Sequence, residues 1–184
     1  MYIYGLDISM SNTGVTIIDK ETYKVVHICT IGTDIPKYNK LPMEYKHGKR
    51  LKHHYDEVNK LIDKYPPSEV AIERGFSQFN KATQVLFRVH GVYGLAFADV
   101  PTYNYPPRDV KATIYKGNAS KKELSDVISK RLKLKFKNDD ESDSSAVAIT
   151  HLIAKHSYDW KPVKSLTEKD KINEAKREAK KTKK

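Results

Sequence analysis

Tyr2 to Lys20 reads YIYGLDISMSNTGVTIIDK: an apolar strand carrying one acid, a turn of small polar residues, then a second apolar strand. Asp7 lies between Leu6 and Ile8 in a run that otherwise reads as buried. A carboxylate there costs on the order of several kcal/mol unless a cation or a set of hydrogen bonds compensates it. Ser9, Ser11, Asn12 and Gly14 supply the turn, and Val15, Ile17 and Ile18 resume the alternation, so the two segments form an antiparallel hairpin. An acid on the first central strand of a sheet is a place to hold a metal. The other reading of Asp7 from this stretch alone is that it caps its own turn.

Working outward, Tyr23 to Gly32 is rich in β-branched residues and ends at glycine, which makes a third antiparallel strand, with His27 on its surface. Thr33 to Pro42 holds two prolines and no period, and reads as a loop. From Met43 to Tyr65, Leu51, Tyr55, Val58, Leu61 and Ile62 recur at helical spacing until Pro66-Pro67 stops the helix. Lys46, His47, Lys49, Arg50, Lys52, His53 and His54 fall on the opposite face, which reads as solvated and, in the alternative, as touching phosphates.

Glu69 to Glu73 (EVAIE) is a short strand with Val70 and Ile72 on one face and Ala71 and Glu73 on the other, and Glu73 repeats the anomaly of Asp7. A loop over Arg74 to Asn80 leads to a long helix marked by Ala82, Val85, Leu86, Val89, Val92, Tyr93 and Ala96. Gly91 and Gly94 inside it weaken the helix unless something packs closely there, either a partner helix from a second subunit or the chain's own sheet. Val100 to Tyr105 returns as a strand parallel to the Glu73 strand. Arg108, Lys111, Lys116, Lys121 and Lys122 then line a loop and two short helices, the second opening with a capping box from Ser120 to Glu123. Lysines around small residues form a candidate phosphate-facing rim, or are ordinary exposed lysines.

Asn138 to Ser144 (NDDESDS) places four acids directly before the apolar helix Ala146 to Ala154. The helix dipole favours acids at an N-terminus but does not require four. Asp140 with Asp143, or Asp139 with Asp143, share a helix face, and His151 two turns on reads as packed.

The 184 residues are enough for one well-buried domain. A net charge of +11 favours a polyanionic partner such as nucleic acid. Residues 161–184 hold ten Lys/Arg against four Asp/Glu, and the rest 24 against 19. The expected organisation is therefore a domain over 1–160 that is only mildly basic, and a basic flexible tail over 161–184 that is disordered or becomes helical on a polyanion. Cys29 is the single cysteine, which excludes a disulfide framework and a cysteine zinc site and fits a reducing, cytoplasmic compartment. Neither a signal peptide nor an apolar run of about 18 residues is present, so no membrane partner is expected.

The elements add up to an α/β fold whose mixed central sheet has three antiparallel strands followed by parallel ones, flanked by helices. Acids fall at the ends of the first and fourth strands and at the start of the last helix. Several carboxylates at one point repel one another unless divalent cations sit between them. Such an oxygen-rich site suits Mg²⁺ or Mn²⁺, and two ions about 3.5–4 Å apart can activate a water and stabilise the leaving oxygen of a phosphodiester.

GLDISMSNTGVTIID, AIERGF, HGVYGLAF, DVKATIYKGNASKKEL and DESDSSAVAITH, in that order, resemble the RuvC family of Holliday-junction resolvases within the RNase H-like superfamily. The likeness covers most of residues 1–154. It implies an RNase H-like fold and metal-dependent cutting of four-way DNA junctions, or other branched DNA such as forks, by paired nicking. By the family pattern Asp7, Glu73, Asp140 and Asp143 match the four metal-binding catalytic acids, with AVAITH fixing the register against Asp139. They imply two Mg²⁺ (or Mn²⁺) ions per site. Lys111 and Lys121 match basic residues close to the scissile phosphate, and Phe76 an aromatic that probes the junction centre. Arg74, Arg108, Lys116 and Lys122 join these as candidate DNA contacts. The resemblance also implies a homodimer through the glycine-bearing helix, and the short tyrosine- and lysine-rich composition resembles a phage or other viral version acting in a host cytoplasm. Two rivals remain: a non-catalytic basic DNA-binding module, and an actin-like ATPase fragment, since GLDISMSNTG also resembles a phosphate loop.

Overall fold

The computed structural model describes residues 1–75 and 80–160. Phe76 and the lysine-rich segment 161–184 lie outside the described residues. Five strands form one sheet: β1 (Tyr2–Asp7), β2 (Asn12–Asp19), β3 (Val25–Gly32), β4 (Pro67–Glu73) and β5 (Thr102–Tyr105). Their spatial order is β3-β2-β1-β4-β5. β1 pairs antiparallel with β2, and β2 with β3, whereas β1–β4 and β4–β5 are parallel. The mixed sheet is the one expected from the sequence. It puts β1 at the centre with β4 beside it.

Alternation along the strands assigns each face. Tyr4, Leu6, Val15, Ile17, Val70 and Ile72 pack with Val58, Val89, Tyr93 and Phe97, residues of α2 (Met43–Lys64), α3 (Asn80–Ala96) and the turn after it. On the other face, Ala71 joins residues of α4 (Pro107–Ile114), α5 (Lys121–Leu132) and α6 (Asp139–His156). Ile3 and Ile18 meet Ala148 and Leu152 on that same face. Among the described residues, no helix is long and apolar enough to cross a membrane.

α6 lies flat on β1 and β2 because the residues beneath it are small. A Cβ on Gly5 would fall 2.5 Å from both Ala148 Cβ and Ser144 O. One on Gly14 would fall 2.7 Å from the carbonyl carbon of Asp140 and 3.1 Å from Ser144 Cβ, and closer still to the Asp140 oxygen. Thr16 Oγ1, fully buried, shares hydrogen bonds of 2.8 Å with Ser144 Oγ and Ser145 Oγ. Three residues of the first hairpin, Gly5, Gly14 and Thr16, thus fix the depth and the rotation of α6.

Several expectations need correction. The stretch read as a loop contains a short helix, α1 (Pro36–Asn39), started by proline at its first position. Tyr23 belongs to the turn before β3 and takes a left-handed backbone (φ 54°). The apolar stripe of α2 holds at Leu51, Val58, Leu61 and Ile62, which pack against the core, and fails at Tyr55. His54 is fully buried and Tyr55 is exposed, because the carbonyl of Met10, in the turn after β1, offers an acceptor that the sequence pattern does not reveal. His54 Nε2 lies 3.1 Å from it and Arg50 Nη2 donates to it at 3.0 Å, joined by Thr33 Oγ1. Gly91 and Gly94 do not face the chain's own sheet: a Cβ on either meets nothing within 4 Å.

Candidate active site

Asp7 is the last residue of β1 and shares its face with Ile3 and Gly5, so its carboxylate is directed to the α6 side of the sheet. Parallel pairing of Leu6 with Ile72 brings Glu73, the last residue of β4, alongside. Asp7 is also the cross-strand neighbour of Gly14, on which the first turn of α6 rests. The acids of α6 therefore arrive at the strand end that carries the other two.

The start of α6 is held by a reciprocal cap. Asn138 accepts from Glu141 N at 3.0 Å, and Glu141 Oε2 accepts from Lys137 N at 2.8 Å. Asn138 is anchored in turn to Thr30 on β3. The Glu141 carboxylate is buried in that cap, and Asp139 is exposed. Asp140 and Asp143 remain to face Asp7, as the charges described next require.

Burial pushes the Asp7 carboxyl up to about 6, with Asp143 and Asp140 adding to the rise and Lys121 opposing it. Burial likewise pushes Glu73 up to about 7, reinforced by Asp7 and Asp143 and opposed by Lys111 and Lys121. Asp140 is also raised, by burial and then by Asp143 and Asp139 against the pull of Lys121. Lys121, at the first position of α5, donates to Asp143 Oδ2 at 2.8 Å, and that bond holds its ammonium above the usual lysine value. All six residues expected at the site, Asp7, Glu73, Asp140, Asp143, Lys111 and Lys121, thus belong to one electrostatic unit.

The four acids do not close into a tight cage. Among the described residues, the group of three or more ligand atoms lying within 4.8 Å of one another is a different one, Glu69, His151 and His156. Carboxylates gathered in this way repel one another, and a cation between them would remove that repulsion. The donor set is all carboxylate oxygen, and two of its members are held at pKa values far above normal by burial and by neighbouring carboxylates, Asp143 and Asp140 beside Asp7, and Asp7 and Asp143 beside Glu73. Those properties fit hard divalent cations.

The remaining candidates are more scattered. Lys116 donates to Glu123 Oε1 at 2.6 Å, inside the Ser120–Glu123 capping box, so its charge is already partnered. Arg108 lies across Gly117, and Arg108, Lys122 and Arg74 are exposed. Sequence reasoning missed the fit of Gly14 beneath Asp140 and the triple anchor on the Met10 carbonyl. It also missed a polar cluster in which Glu69 contacts Lys20, His151 and His156. A glycine directly opposite the strand acid was the one available signal for the first of these.

A family model described as crossover junction endodeoxyribonuclease RuvC matches residues 3–151. The chain is 32% identical over 159 residues to the crossover junction endodeoxyribonuclease RuvC of Thermotoga petrophila, covering 83% of this chain and 93% of that one. It is 34% identical over 161 residues to the Brevibacillus brevis protein of the same name, covering 82% and 91%. Among solved structures, Thermus thermophilus RuvC in complex with a Holliday junction substrate superimposes with a TM-score of 0.70 at 23% identity, over 89% of this chain and 99% of that one. The latter likeness bears on the fold.

Proposed function

This chain belongs to the RuvC family of crossover junction endodeoxyribonucleases, and from that premise we propose that Asp7, Glu73, Asp140 and Asp143 are its metal-binding catalytic acids. It is a metal-dependent phosphodiester hydrolase that resolves four-way DNA (Holliday) junctions. Its metal on this reading is Mg²⁺, with Mn²⁺ able to replace it, two ions to a site. The observation that carries the assignment is the convergence of the acids: Asp7 and Glu73 end the adjacent strands β1 and β4, the first turn of α6 rests on Gly14 opposite Asp7, and Asp143 acts with burial to push Asp7 up to about 6 and Glu73 up to about 7.

Cations held by Asp7, Glu73, Asp140 and Asp143 would supply an activated water and offset the charge that develops on the phosphate. The protein's own residues do the rest. Asp7 and Glu73, on adjacent central strands, form the rigid half of the site, and Asp140 and Asp143 the half set by the seating of α6. Lys121 holds Asp143 in place before DNA arrives and then lies where a phosphate would approach. There its charge stabilises a transition state more than a ground state. Lys111 serves the Glu73 side in the same way. Arg74, Arg108 and Lys122, with Phe76, extend the DNA contacts, and Lys116 contributes less because Glu123 holds it. The nuclease unit is residues 1–160, and the basic segment 161–184 adds sequence-independent attraction.

A homodimer through α3 completes the reading. Phe87 and Leu95 are 62% and 69% exposed on a helix whose Gly91 and Gly94 leave room for a close neighbour. Large apolar side chains of this kind beside open backbone mark an interaction surface, and two copies there would give two sites for paired nicks. A non-catalytic DNA-binding module, by contrast, gains nothing from four acids gathered beside two lysines.

The test is to incubate the protein with a synthetic four-way junction, a fork and plain duplex side by side, in Mg²⁺ and in EDTA, mapping nicks on every strand. The expected result is symmetrical paired nicking of the junction in Mg²⁺ alone. Binding without nicking in either condition would remove the enzymatic reading.

A further inference from the structure

We propose that Glu69, His151 and His156 form a second metal site, selective for Zn²⁺ over Mg²⁺, at the end of α6 remote from the four acids. Glu69 and Glu73 share one face of β4, four residues or about 13 Å apart. Asp143 and His151 are eight residues or about 12 Å apart along α6. The same strand and helix therefore carry two separate polar stations, and the catalytic account uses only one.

The geometry is that of a ligand set around a shared point. His151 Nε2 is 2.8 Å and His156 Nε2 3.0 Å from the same Glu69 oxygen, Oε2. Tetrahedral zinc with bonds of about 2.0–2.1 Å spaces its ligands at about 3.3 Å. A few tenths of an ångström of outward movement would admit the ion. His156 is able to make that movement because its side chain is 16% exposed. His151 is fully buried and rigidly aimed, its other nitrogen Nδ1 lying 2.8 Å from Tyr105 Oη. An outer partner of this kind orients a ligating histidine and fixes its tautomer. The rings of Tyr103 and Tyr105 wall the buried side at 4.8 and 5.9 Å from His151.

Two imidazoles and one carboxylate favour zinc, whereas magnesium prefers oxygen donors. Lys20 Nζ, 2.7 Å from Glu69 Oε1, holds the other oxygen of the carboxylate and leaves Oε2 for the ion. Its exposed ammonium can turn to solvent. The ion would pin the C-terminal end of α6 to β4, just before the chain passes through Trp160 towards its basic end.

The experiment uses the full-length chain in the D7N background, so that the acid cluster does not compete, and titrates it with ZnCl₂ by calorimetry. Thermal unfolding and the visible spectrum of the Co²⁺ form are recorded in parallel. One equivalent of zinc is expected to bind and raise the melting temperature, with a tetrahedral cobalt spectrum, and MgCl₂ at the same concentration should do neither. H156Q and E69Q should each weaken zinc binding on the order of tenfold or more, and Y105F about tenfold. H156Q in the otherwise unaltered protein should cut a four-way junction in Mg²⁺ at the parental rate, which separates this site from the catalytic reading. Zinc bound as tightly by H156Q and E69Q, or not bound by D7N at all, would overturn the proposal.

Discussion

Gly14→Ala adds one methyl group on the face of β2 that carries α6. The glycine has an ordinary negative φ, so the change brings no backbone strain and acts only through contact. The new Cβ would lie 2.7 Å from the Asp140 carbonyl carbon, where carbon atoms rest at about 3.5 Å or more. The strand is held on both sides by β1 and β3, so the helix must yield, by about 0.8 Å or more at Asp140. A displacement of about 1 Å in a catalytic constellation costs about 10²-fold in rate, or about 2.7 kcal/mol of barrier. Overpacking adds about 1–3 kcal/mol of lost stability, so the assay runs well below the melting temperature. The assay is single-turnover nicking of a synthetic junction at saturating protein, with junction affinity measured beside it. Gly14→Ala should cut about 10²-fold more slowly while binding normally. Gly5→Ala, which clashes at mid-helix with Ala148 and Ser144, should lose stability with a smaller effect on rate, and Gly48→Ala, with nothing within 4 Å, should lose neither. A folded Gly14→Ala protein that nicks at the parental rate would refute the idea that this contact positions Asp140.

The remaining predictions concern charge and assembly. The folded-state pKa of Asp7 lies above its unfolded value, so ionising it opposes folding, and the penalty grows as pH rises through about 4 to 6. In metal-free protein D7N should therefore be more stable than the parent by about 1–3 kcal/mol at pH 8 and equal to it near pH 4. Taking the difference between the two proteins removes the histidines, several of which are shifted the opposite way. Lys121→Ala should slow cutting about 10²-fold and move the acid limb of the rate profile to higher pH, because this lysine lowers the pKa of both Asp7 and Glu73. A profile shifted to lower pH would contradict the electrostatics. Truncation after Trp160 should weaken junction binding and flatten its salt dependence with the single-turnover rate unchanged; a truncated protein that binds fully but no longer cuts would make that segment part of the site. Gly91→Leu or Leu95→Glu should dissociate the dimer in sedimentation, and a dimer unaltered in both would move the interface off α3.

Much of the candidate site was legible because acids on buried strands break a strict alternation. Asp7 and Glu73 each end an apolar run, and a sheet with three antiparallel strands and parallel successors brings those ends together. What the sequence did not reveal depends on partners far away along the chain. His54 is buried because the Met10 carbonyl and the Tyr93 hydroxyl, 44 and 39 residues away, accept and share its ring nitrogens. Periodicity placed it on a solvated face because it weighs apolarity alone. The Glu69–His151–His156 cluster spans more than eighty residues, and Gly14 earns its importance only once α6 lies on it. The four acids around α6 were ambiguous for the same reason: burial of Glu141 in its cap, and exposure of Asp139, are decided by the Asn138–Thr30 anchor rather than by helical spacing.

The central claim is that Asp7 and its three companions hold the cations that cut the junction. Its most direct measurement is the single-turnover nicking rate of one four-way junction, titrated with Mg²⁺, for the parent protein and for D7N. The parent should show a saturable requirement for the metal, and D7N should bind the junction as well or better and leave it uncut at every Mg²⁺ concentration. Cutting by D7N at the parental rate, or by the parent in EDTA, would contradict the account.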